Sequence, residues 1–379
     1  MKLLFFASDY QIGLSVLLTE ELKNLVRQPG LEVLAIAGDT EQTKGLTRQI
    51  EESNIPIIRI NELDAHKNFL TLAKQIYLII KDAKFSFVHV QNNWQLALLV
   101  FIKYFYKGNY KIIYTIHGYR HNNYFKAILA KRIIDLALFF FVNIVFTASS
   151  EVKQKFRLIK KKCFVLYLGV EESYFNTPEP DYFTIHKNII FAGQFRKGKN
   201  QGLILEAMSK HIERTGNKDF TLYLPGEGPL KENCIEYAHH LKLEENVIFP
   251  GHLSREDTLK LYNCCQIAIV PTNSETFGHC IAEPFVIGLC VLTRKVGIAN
   301  DVIINGKNGL IFSDSNDLLL LLGKYLTNND AIAAMGRSAY NMRELFRWRS
   351  ICRQYEEIIE TNQNKKSIHA DKRDRKTGH

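Results

Sequence analysis

Two glutamates stand eight residues apart in the segment 271–284, which reads as a strand end, a loop and the start of a helix. With a helix beginning near Phe277, the carboxylates of Glu275 and Glu283 can face the same side. Carboxylates there accept hydrogen bonds from the hydroxyls of a sugar ring or a ribose, and free amides near Phe277 and Gly278 suit an anion. Alternatively, Glu275 caps the helix and Glu283 pairs with a surface lysine, and the spacing alone favours neither interpretation.

A basic turn, Gly193-Gln194-Phe195-Arg196-Lys197-Gly198-Lys199-Asn200, directly follows the predicted strand Asn188–Ala192. Three cations on a glycine-containing turn can neutralise a diphosphate as it departs. The alternative is a solvated basic loop, because short basic turns are common.

Weaker signals follow other predicted strands. Gly226-Glu227-Gly228-Pro229 has the flexibility for backbone to approach a ligand closely. His117, followed by a glycine, is placed to bond a sugar hydroxyl, although a lone histidine is more often structural. Gly13 follows the first strand, but the chain has no G-x-G-x-x-G motif, which argues against a nicotinamide or flavin dehydrogenase.

Length and composition indicate two α/β domains of ordinary size. The chain has 379 residues, of which 46% are hydrophobic and 23% charged. Its seven cysteines are an odd number without C-x-x-C spacing, which favours a reducing cytoplasm. The apolar stretch 133–146 carries Asp135 and is too short to cross a bilayer, so no transmembrane helix is predicted.

The formal charge of +10 is concentrated in the first half of the chain. The segment from Lys81 to Val165 contains fifteen lysines and arginines but only three acidic residues, and aromatic residues are interleaved among them. This pattern suits an anionic membrane surface or a phosphorylated glycan, and it is also compatible with a solvated face. A nucleic-acid partner is disfavoured.

Short apolar runs alternate with helical patterns along the chain, which predicts βαβ units and parallel sheets. The predicted strands are Lys2–Ala7, Leu31–Ala37, Phe85–Val90, Lys111–Ile116, Asn143–Ala148, Asn188–Ala192, Phe220–Leu224, Val247–Phe249, Ile267–Val270 and Val291–Thr293. The segment Thr177–Asp181, rich in proline and acidic residues, is the predicted linker between two sheets. In such sheets ligands bind beyond the carboxyl ends of the strands, where the polar turns described above lie.

Together these stretches resemble glycosyltransferase family 4 from Met1 to about Glu360. The resemblance implies the α/β GT-B fold, with two doubly wound Rossmann-like domains facing a central cleft. It implies an acceptor-binding domain at 1–174 and a nucleotide-sugar-binding domain at 175–346. A helix at 347–361 returns to the first domain, and the composition of 362–379 predicts a disordered basic tail.

The resemblance also implies site roles. Glu275 and Glu283 fit the family's E-x7-E motif, with Glu275 on the donor sugar and Glu283 on the ribose. Lys199 fits the diphosphate-binding lysine, and His117 fits the histidine beside the donor sugar. The implied catalytic residues are thus Glu275, Lys199 and His117. The implied donor-binding residues are Gly13, Gln194, Arg196, Lys197, Gly226, Glu227, Phe277, Gly278, His279 and Glu283.

Two positions depart from the family pattern. Gln194 stands where the family usually has an arginine, so Arg196 or Lys197 must supply the missing charge. Gly13 stands alone where family members often have two adjacent glycines. These departures are the support for a rival interpretation, a non-catalytic nucleotide-sugar- or glycan-binding subunit of the same fold. A sugar-nucleotide epimerase is disfavoured by the E-x7-E motif.

The activity implied is retaining, metal-independent transfer of a sugar from a nucleoside diphosphate, with a UDP-sugar as the expected donor and no further cofactor. The sequence has no D-x-D motif and no metal-ligand cluster. The expected acceptor is a glycan or lipid-linked saccharide of lipopolysaccharide, capsule or exopolysaccharide synthesis. The expected location is cytoplasmic, with peripheral attachment to the inner face of the plasma membrane as a further option.

Overall fold

A computed structural model describes residues 1–7, 14–38, 44–60, 69–117, 132 and 134–374, with the side chains at 14–17 and 364–374 left outside the description. The chain divides into two compact units. The first unit comprises Met1–Ala148, Val152–Gly169 and Trp348–His379, and the second comprises Ser149–Glu151 and Val170–Arg347. Gly13 lies outside the described residues.

The first unit contains a parallel sheet of seven strands in the order β3-β2-β1-β4-β5-β6-β7. The strands are β1 (Lys2–Ala7), β2 (Glu32–Gly38), β3 (Ile57–Ile60), β4 (Phe87–Val90), β5 (Lys111–Ile116), β6 (Val142–Thr147) and β7 (Cys163–Val165). Most are continuously apolar and buried, as expected when helices cover both faces of a parallel sheet.

Helices cover both faces of this sheet. They are α1 (Leu14–Val26), α2 (Lys44–Glu52), α3 (Phe69–Ala83), α4 (Asn93–Phe105), α5 (134–140), α6 (Ser150–Gln154), which straddles the boundary between the units, and α14 (Trp348–Asp374). One core cluster joins the sheet to α3, α4 and α5, and a second joins it to α1, α2 and α14. The sheet is therefore sandwiched between two apolar layers.

The second unit contains a parallel sheet of six strands in the order β10-β9-β8-β11-β12-β13. The strands are β8 (Lys187–Ile190), β9 (Phe220–Tyr223), β10 (Val247–Ile248), β11 (Ile267–Val270), β12 (Cys290–Thr293) and β13 (Leu310–Ile311). The helices are α7 (Gln201–Thr215), α8 (Lys231–His240), α9 (Arg255–Asn263), α10 (His279–Ile287), α11 (Ala299–Val302), α12 (Ser315–Tyr325) and α13 (Asn329–Tyr340). The strand order reverses between β8 and β11.

The prediction of two doubly wound parallel α/β domains is confirmed. All ten predicted strands are present with ends that shift by up to two residues. The sequence missed β3, β7 and β13, which contain two to four residues each and end their sheets. Such short runs carry too little periodicity to be recognised.

The chain leaves the first unit after Gly169 and returns to it at Trp348. A Cβ on Gly169 would lie 2.2 Å from the Trp348 ring, so only glycine lets this ring pack there. The segment Thr177–Asp181 lies inside the second unit, where Glu179 forms an ion pair with Arg337, rather than between the units. Proline and acidic residues therefore mark an irregular segment of the second unit here and not a linker.

Helix α14 belongs to the first unit and its backbone stays helical to Asp374. The sequence predicts a disordered tail from residue 362, so the helix is longer than expected. The residues from 362 to 374 include no glycine or proline and several good helix formers, so nothing stops the helix locally. No helix among the described residues has both the length and the apolar character needed to cross a membrane.

A buried polar network lies where α1, β4 and α14 meet. The ring nitrogens of His89 form hydrogen bonds with Tyr355 Oη at 3.0 Å and Thr115 Oγ1 at 2.8 Å. Burial lowers the pKa of His89 to about 3, so its ring is neutral near pH 7. Burial also raises the pKa of Glu21 to about 8, and the adjacent Gln91 amide limits the rise.

The folded protein holds the Glu21 proton up to about pH 8, whereas the unfolded chain releases it near pH 4.5. The contribution of this carboxyl to the free energy of unfolding is therefore fully present below pH 4.5 and is lost as the pH rises to about 8. Glu21→Gln should remove a slope of about 1.4 kcal/mol per pH unit in this window. Chemical denaturation at pH 5.5 and 7.5 measures it, with the exposed Glu52→Gln as control. An unchanged difference between the two pH values would show that Glu21 does not titrate this way.

Candidate functional site

Two loops of the second unit meet at the carboxyl edge of its sheet, where the strand order reverses. The loop 193–200 follows β8 and the loop 271–278 follows β11, and these strands are neighbours. Asn273 N donates to Gly198 O at 2.9 Å, and Asn200 Nδ2 donates to Pro271 O at 3.0 Å and to Asn273 Oδ1 at 2.6 Å. A reversal point of this kind is where open parallel sheets bind ligands.

The contact between these loops includes an ion pair, Lys199 with Glu275. Lys199 Nζ lies 2.6 Å from Glu275 Oε1, and the two side chains are only 12% and 15% exposed. Cys280 Sγ approaches the same oxygen at 3.8 Å. The two oppositely charged groups that the sequence assigned to different parts of a donor are therefore adjacent, within reach of one ligand.

Helix α10 begins at His279, two residues later than the sequence suggests. Its N-cap is Gly278, with φ 105°, and the cap makes no side-chain hydrogen bond. Glu275 is therefore not a helix cap, which removes that alternative interpretation. The first amides of α10 lack a side-chain acceptor at the cap, and such amides suit an anion or a polar oxygen.

Residues that the sequence did not single out hold the loop 271–278, either directly or through the segment at Gly297 and Ile298. Ser149 Oγ donates to Thr276 O at 2.8 Å, and Ile298 N donates to Phe277 O at 2.9 Å. Glu151 Oε2 accepts from Gly297 N at 2.8 Å. Ser149 and Glu151 are more than 120 residues away in sequence, so no local signal could have identified them.

Glu283 lies on α10 beside Tyr262 and Arg255 of α9. Burial raises the pKa of Glu283 to about 7, Arg255 and a hydrogen bond from Tyr262 oppose the rise, and Glu171 adds to it. Arg255 Nη1 lies 3.3 Å from Glu171 Oε2. The predicted alternative of a surface lysine partner is therefore wrong, because the groups around this carboxyl are a tyrosine and an arginine.

Three buried polar atoms lack a hydrogen-bond partner among the described residues: Arg196 Nε and Thr272 Oγ1 in the two loops, and His279 Nε2 at the start of α10. Burial, assisted by the nearby Arg255 cation, lowers the pKa of His279 to about 4, so the ring is neutral near pH 7. Gln194 and Lys197 of the same basic loop are exposed. Unpaired buried polar groups are costly unless a ligand or water satisfies them.

The glycines at 226 and 228 have a structural reason. Their φ values are 142° and 152°, and added Cβ atoms would lie 2.1 Å from Gly193 O and 2.4 Å from Phe195 O. The close approach is therefore to the backbone of the basic loop. Glu227 Oε1 lies 2.7 Å from Lys231 Nζ, and that hydrogen bond lowers the pKa of Glu227.

His117 belongs to the first unit, at the end of β5, and Glu275 and Lys199 belong to the second. Its Nε2 is hydrogen-bonded to Gln91 Oε1. Burial lowers the pKa of His117 to about 4, so the ring is neutral near pH 7. An amide oxygen only accepts, so Nε2 carries the proton and Nδ1 is left as an acceptor. Among the described residues, no group of three or more His, Cys, Asp or Glu side chains is arranged to hold a metal ion.

Comparisons with known proteins bear on this site. Residues 183–342 match the sequence model of the family "Glycosyl transferases group 1". The chain is 26% identical over 194 residues to the uncharacterized glycosyltransferase MJ1178 of Methanocaldococcus jannaschii, covering 50% of this chain and 51% of the relative. It is 25% identical over 228 residues to the O-antigen biosynthesis glycosyltransferase WclY of Escherichia coli, and this match covers 57% of this chain and 62% of WclY.

Among solved structures, the chain is similar to Anabaena Alr3699/HepE in complex with UDP, with a TM-score of 0.78 and 16% identity, over 95% of this chain and 100% of the other. This likeness shows a shared fold, that of the GT-B glycosyltransferases. The match spans about half of MJ1178 and 31% of a second relative from the same organism, MJ1607. The two loops described above lie within the family match.

Proposed function

We propose that this protein is a retaining, metal-independent glycosyltransferase of family 4 that moves a sugar from a nucleoside diphosphate to a glycan or lipid-linked acceptor. The observation that supports it most is the contact of Lys199 with Glu275 at the reversal point of the second sheet. A cation for a diphosphate and a carboxylate for sugar hydroxyls stand side by side there. The family match covers this segment.

Each group has a distinct task in this proposal. Lys199 and the uncapped amides of α10 stabilise negative charge on the departing diphosphate, Glu275 accepts hydrogen bonds from the donor sugar, and Glu283 accepts them from the ribose. His117 Nδ1 accepts a hydrogen bond from a hydroxyl of the donor sugar. Arg196, whose Nε lacks a partner, supplies the charge that Gln194 does not, whereas Lys197 is exposed to solvent.

The transfer proceeds on the face of the sugar from which the diphosphate departs. The bond from the anomeric carbon to the acceptor oxygen forms as the bond to the diphosphate oxygen breaks. The acceptor hydroxyl proton passes to that diphosphate oxygen, so no protein nucleophile is required. Glu275 positions the sugar and does not attack it, which agrees with its direct pairing to Lys199.

A UDP-sugar is the proposed donor, because the similar Anabaena protein binds UDP. A surface polysaccharide or lipopolysaccharide intermediate is the proposed acceptor class, because WclY acts in O-antigen biosynthesis. We place the enzyme in the cytoplasm, at the inner face of the plasma membrane. A non-catalytic binding subunit is the second candidate, and the exposed Gln194 at the usual arginine position is the observation that favours it.

Release of nucleoside diphosphate separates these candidates. The purified protein is incubated with UDP-sugars and with lipid-linked and oligosaccharide acceptors, and products are identified by mass spectrometry. We expect UDP release that depends on an added acceptor and an acceptor product heavier by one sugar. Binding of UDP without release would favour the non-catalytic subunit, and conversion of the donor sugar without acceptor would favour an epimerase.

A further inference from the structure

The helices of one face of the first sheet end at its amino edge, where the strands begin. Helix α3 ends at Ala83 before β4, α4 ends at Phe105 before β5, and α5 ends at residue 140 before β6. This edge is opposite to the carboxyl edge, where His117 lies at the end of β5. Groups at the amino edge therefore take no part in the proposed transfer.

A cavity of about 460 Å³ opens at this edge between the ends of α3 and α4. Three lysines line it, Lys81, Lys84 and Lys107, together with Tyr77 and Gly108. All three lysines are exposed, and none forms an ion pair among the described residues. Asp82 is the exposed acidic residue next to them in sequence. The cavity therefore carries a net positive charge that suits a phosphate-bearing group.

Two of these lysines occupy a backbone conformation that normally favours glycine. Lys84 has φ 55° and Lys107 has φ 53°, each just after the end of a helix. Glycine is the usual residue there because a side chain in the left-handed region costs about 1 kcal/mol. Lysines at these two positions therefore add positive charge to this edge at a small cost in stability.

Aromatic residues directly precede the cavity residue Lys107 in sequence. Tyr104 and Phe105, at the end of α4, are 68% and 64% exposed, although residues of this size are usually covered. Tyr106, which follows them, stacks on the cavity residue Tyr77 with ring centroids 5.0 Å apart. Aromatic rings beside lysines are typical of surfaces that enter the headgroup region of a bilayer.

Exposed aromatic rings and exposed lysines also occur at the end of α5, at the same edge of the sheet. Phe139 and Phe140 at the end of α5 are 46% and 68% exposed. Lys160 and Lys161, shortly before β7, are exposed as well. Lys162 Nζ lies 2.6 Å from Phe139 O, which joins this basic turn to the end of α5.

We propose that this edge, defined by Lys81, Lys84, Lys107, Tyr104 and Phe105, is a docking surface for anionic phospholipid. The lysine-lined cavity receives a lipid phosphate headgroup, and the two aromatic rings enter the interface beside it. A free soluble phosphate would use the lysines and leave the rings in water. The rings are therefore the reason to choose a lipid surface.

The test is co-sedimentation of the full-length protein with vesicles of pure phosphatidylcholine, and with vesicles in which part of it is replaced by phosphatidylglycerol. Wild type is expected to bind the anionic vesicles preferentially and to lose binding as salt rises. In Lys84→Gly/Lys107→Gly the partition coefficient should fall about 25-fold, about five-fold for each cation. Its Tm should stay the same or rise, because glycine suits both backbone positions.

The matched control is Lys242→Gly in the second unit. Lys242 is also an exposed lysine with a left-handed backbone, φ 55°, just after a helix, but it is not part of this surface. It should bind vesicles like wild type. Tyr104→Ser/Phe105→Ser should also weaken vesicle binding. In this variant, inorganic phosphate should protect Lys84 and Lys107 from chemical acetylation as well as it does in wild type.

Four results would overturn the proposal: equal binding to both vesicle types, no loss in the double lysine variant, an equal loss in Lys242→Gly, or full vesicle binding by the aromatic variant. The last result, with phosphate protection retained, would identify a soluble-anion site instead. Donor-induced changes in Tm are measured in parallel with every variant. These Tm changes report on donor binding by the second unit. They will still be observed if the docking proposal fails but the proposed function is correct.

Discussion

Replacing Lys199 by Ala should lower kcat about a hundred- to a thousand-fold while changing donor affinity much less. Negative charge on the diphosphate grows as the glycosidic bond breaks, so a cation beside it acts mainly on the transition state. The side chain is already held in place, 2.6 Å from Glu275 and 12% exposed, so little reorganisation precedes the reaction. Steady-state kinetics with varied donor separates kcat from KM.

Lys197→Ala is the matched control, because it removes the same charge from the same loop at an exposed position. It should leave kcat within about three-fold, since surface charges act weakly through water. Glu275→Ala and Glu275→Gln should each lower kcat about a hundred-fold, because the sugar loses a charged acceptor. Equal effects of Lys197→Ala and Lys199→Ala, or unchanged kcat for both Lys199→Ala and Glu275→Ala, would remove the site assignment.

The same pair makes a prediction about stability. Lys199→Ala leaves Glu275, 15% exposed, without its cation, and this should cost about 1–3 kcal/mol of unfolding free energy. In the double variant Lys199→Ala/Glu275→Gln part of that loss should return, while activity stays low. Recovery of stability without recovery of kcat would show that the loss of activity is not a folding defect.

Replacing Glu283 by Gln should weaken donor binding about 10- to 100-fold at pH 8, because hydrogen bonds to a charged acceptor are stronger than those to a neutral one. In wild type the pKa of this carboxyl is about 7. If the ionised form binds the ribose, affinity should fall about ten-fold for each pH unit below 7 and level off above it. The variant should show no such dependence.

The groups that face Glu283 are Arg255, Glu171, Tyr262, Tyr174 and Cys280. His279, further along the site, is neutral throughout this range because burial holds its pKa at about 4. Calorimetric titration with a UDP-sugar between pH 5.5 and 8.5 is suitable, since its diphosphate does not titrate there, unlike that of free UDP. A wild-type profile that matches the Glu283→Gln profile would exclude the assigned role.

Much of the fold could be predicted from the sequence because its central strands are strong local signals. Lys2–Ala7, Lys111–Ile116 and Ile267–Val270 are apolar runs of four to six residues, and the structure has strands with the same ends. Edge strands such as Leu310–Ile311 consist of two residues, and they exist because a neighbouring strand pairs with them. Pairing is a tertiary effect that no local pattern records.

The candidate site also contains residues that the sequence predicts and residues that it does not. The basic turn and the two glutamates have recognisable residue types and spacing, and the structure pairs Lys199 with Glu275 as one group. The supports of the site come from distant segments: Ser149 binds the loop of Glu275, Glu151 binds Gly297 next to the residue that binds this loop, and Arg255 lies beside Glu283. Their contribution depends on which strands are neighbours, and the sequence alone does not contain that information.

A crystal structure of the wild-type protein with UDP is the decisive test of the donor site. We expect UDP at the reversal point of the second sheet, with Lys199 Nζ within hydrogen-bonding distance of a β-phosphate oxygen and both ribose hydroxyls hydrogen-bonded to the Glu283 carboxylate. We also expect Lys199 to stay near Glu275, with which it already pairs at 2.6 Å. UDP bound elsewhere on the chain, or bound here with its diphosphate turned away from Lys199 and its ribose away from Glu283, would contradict it.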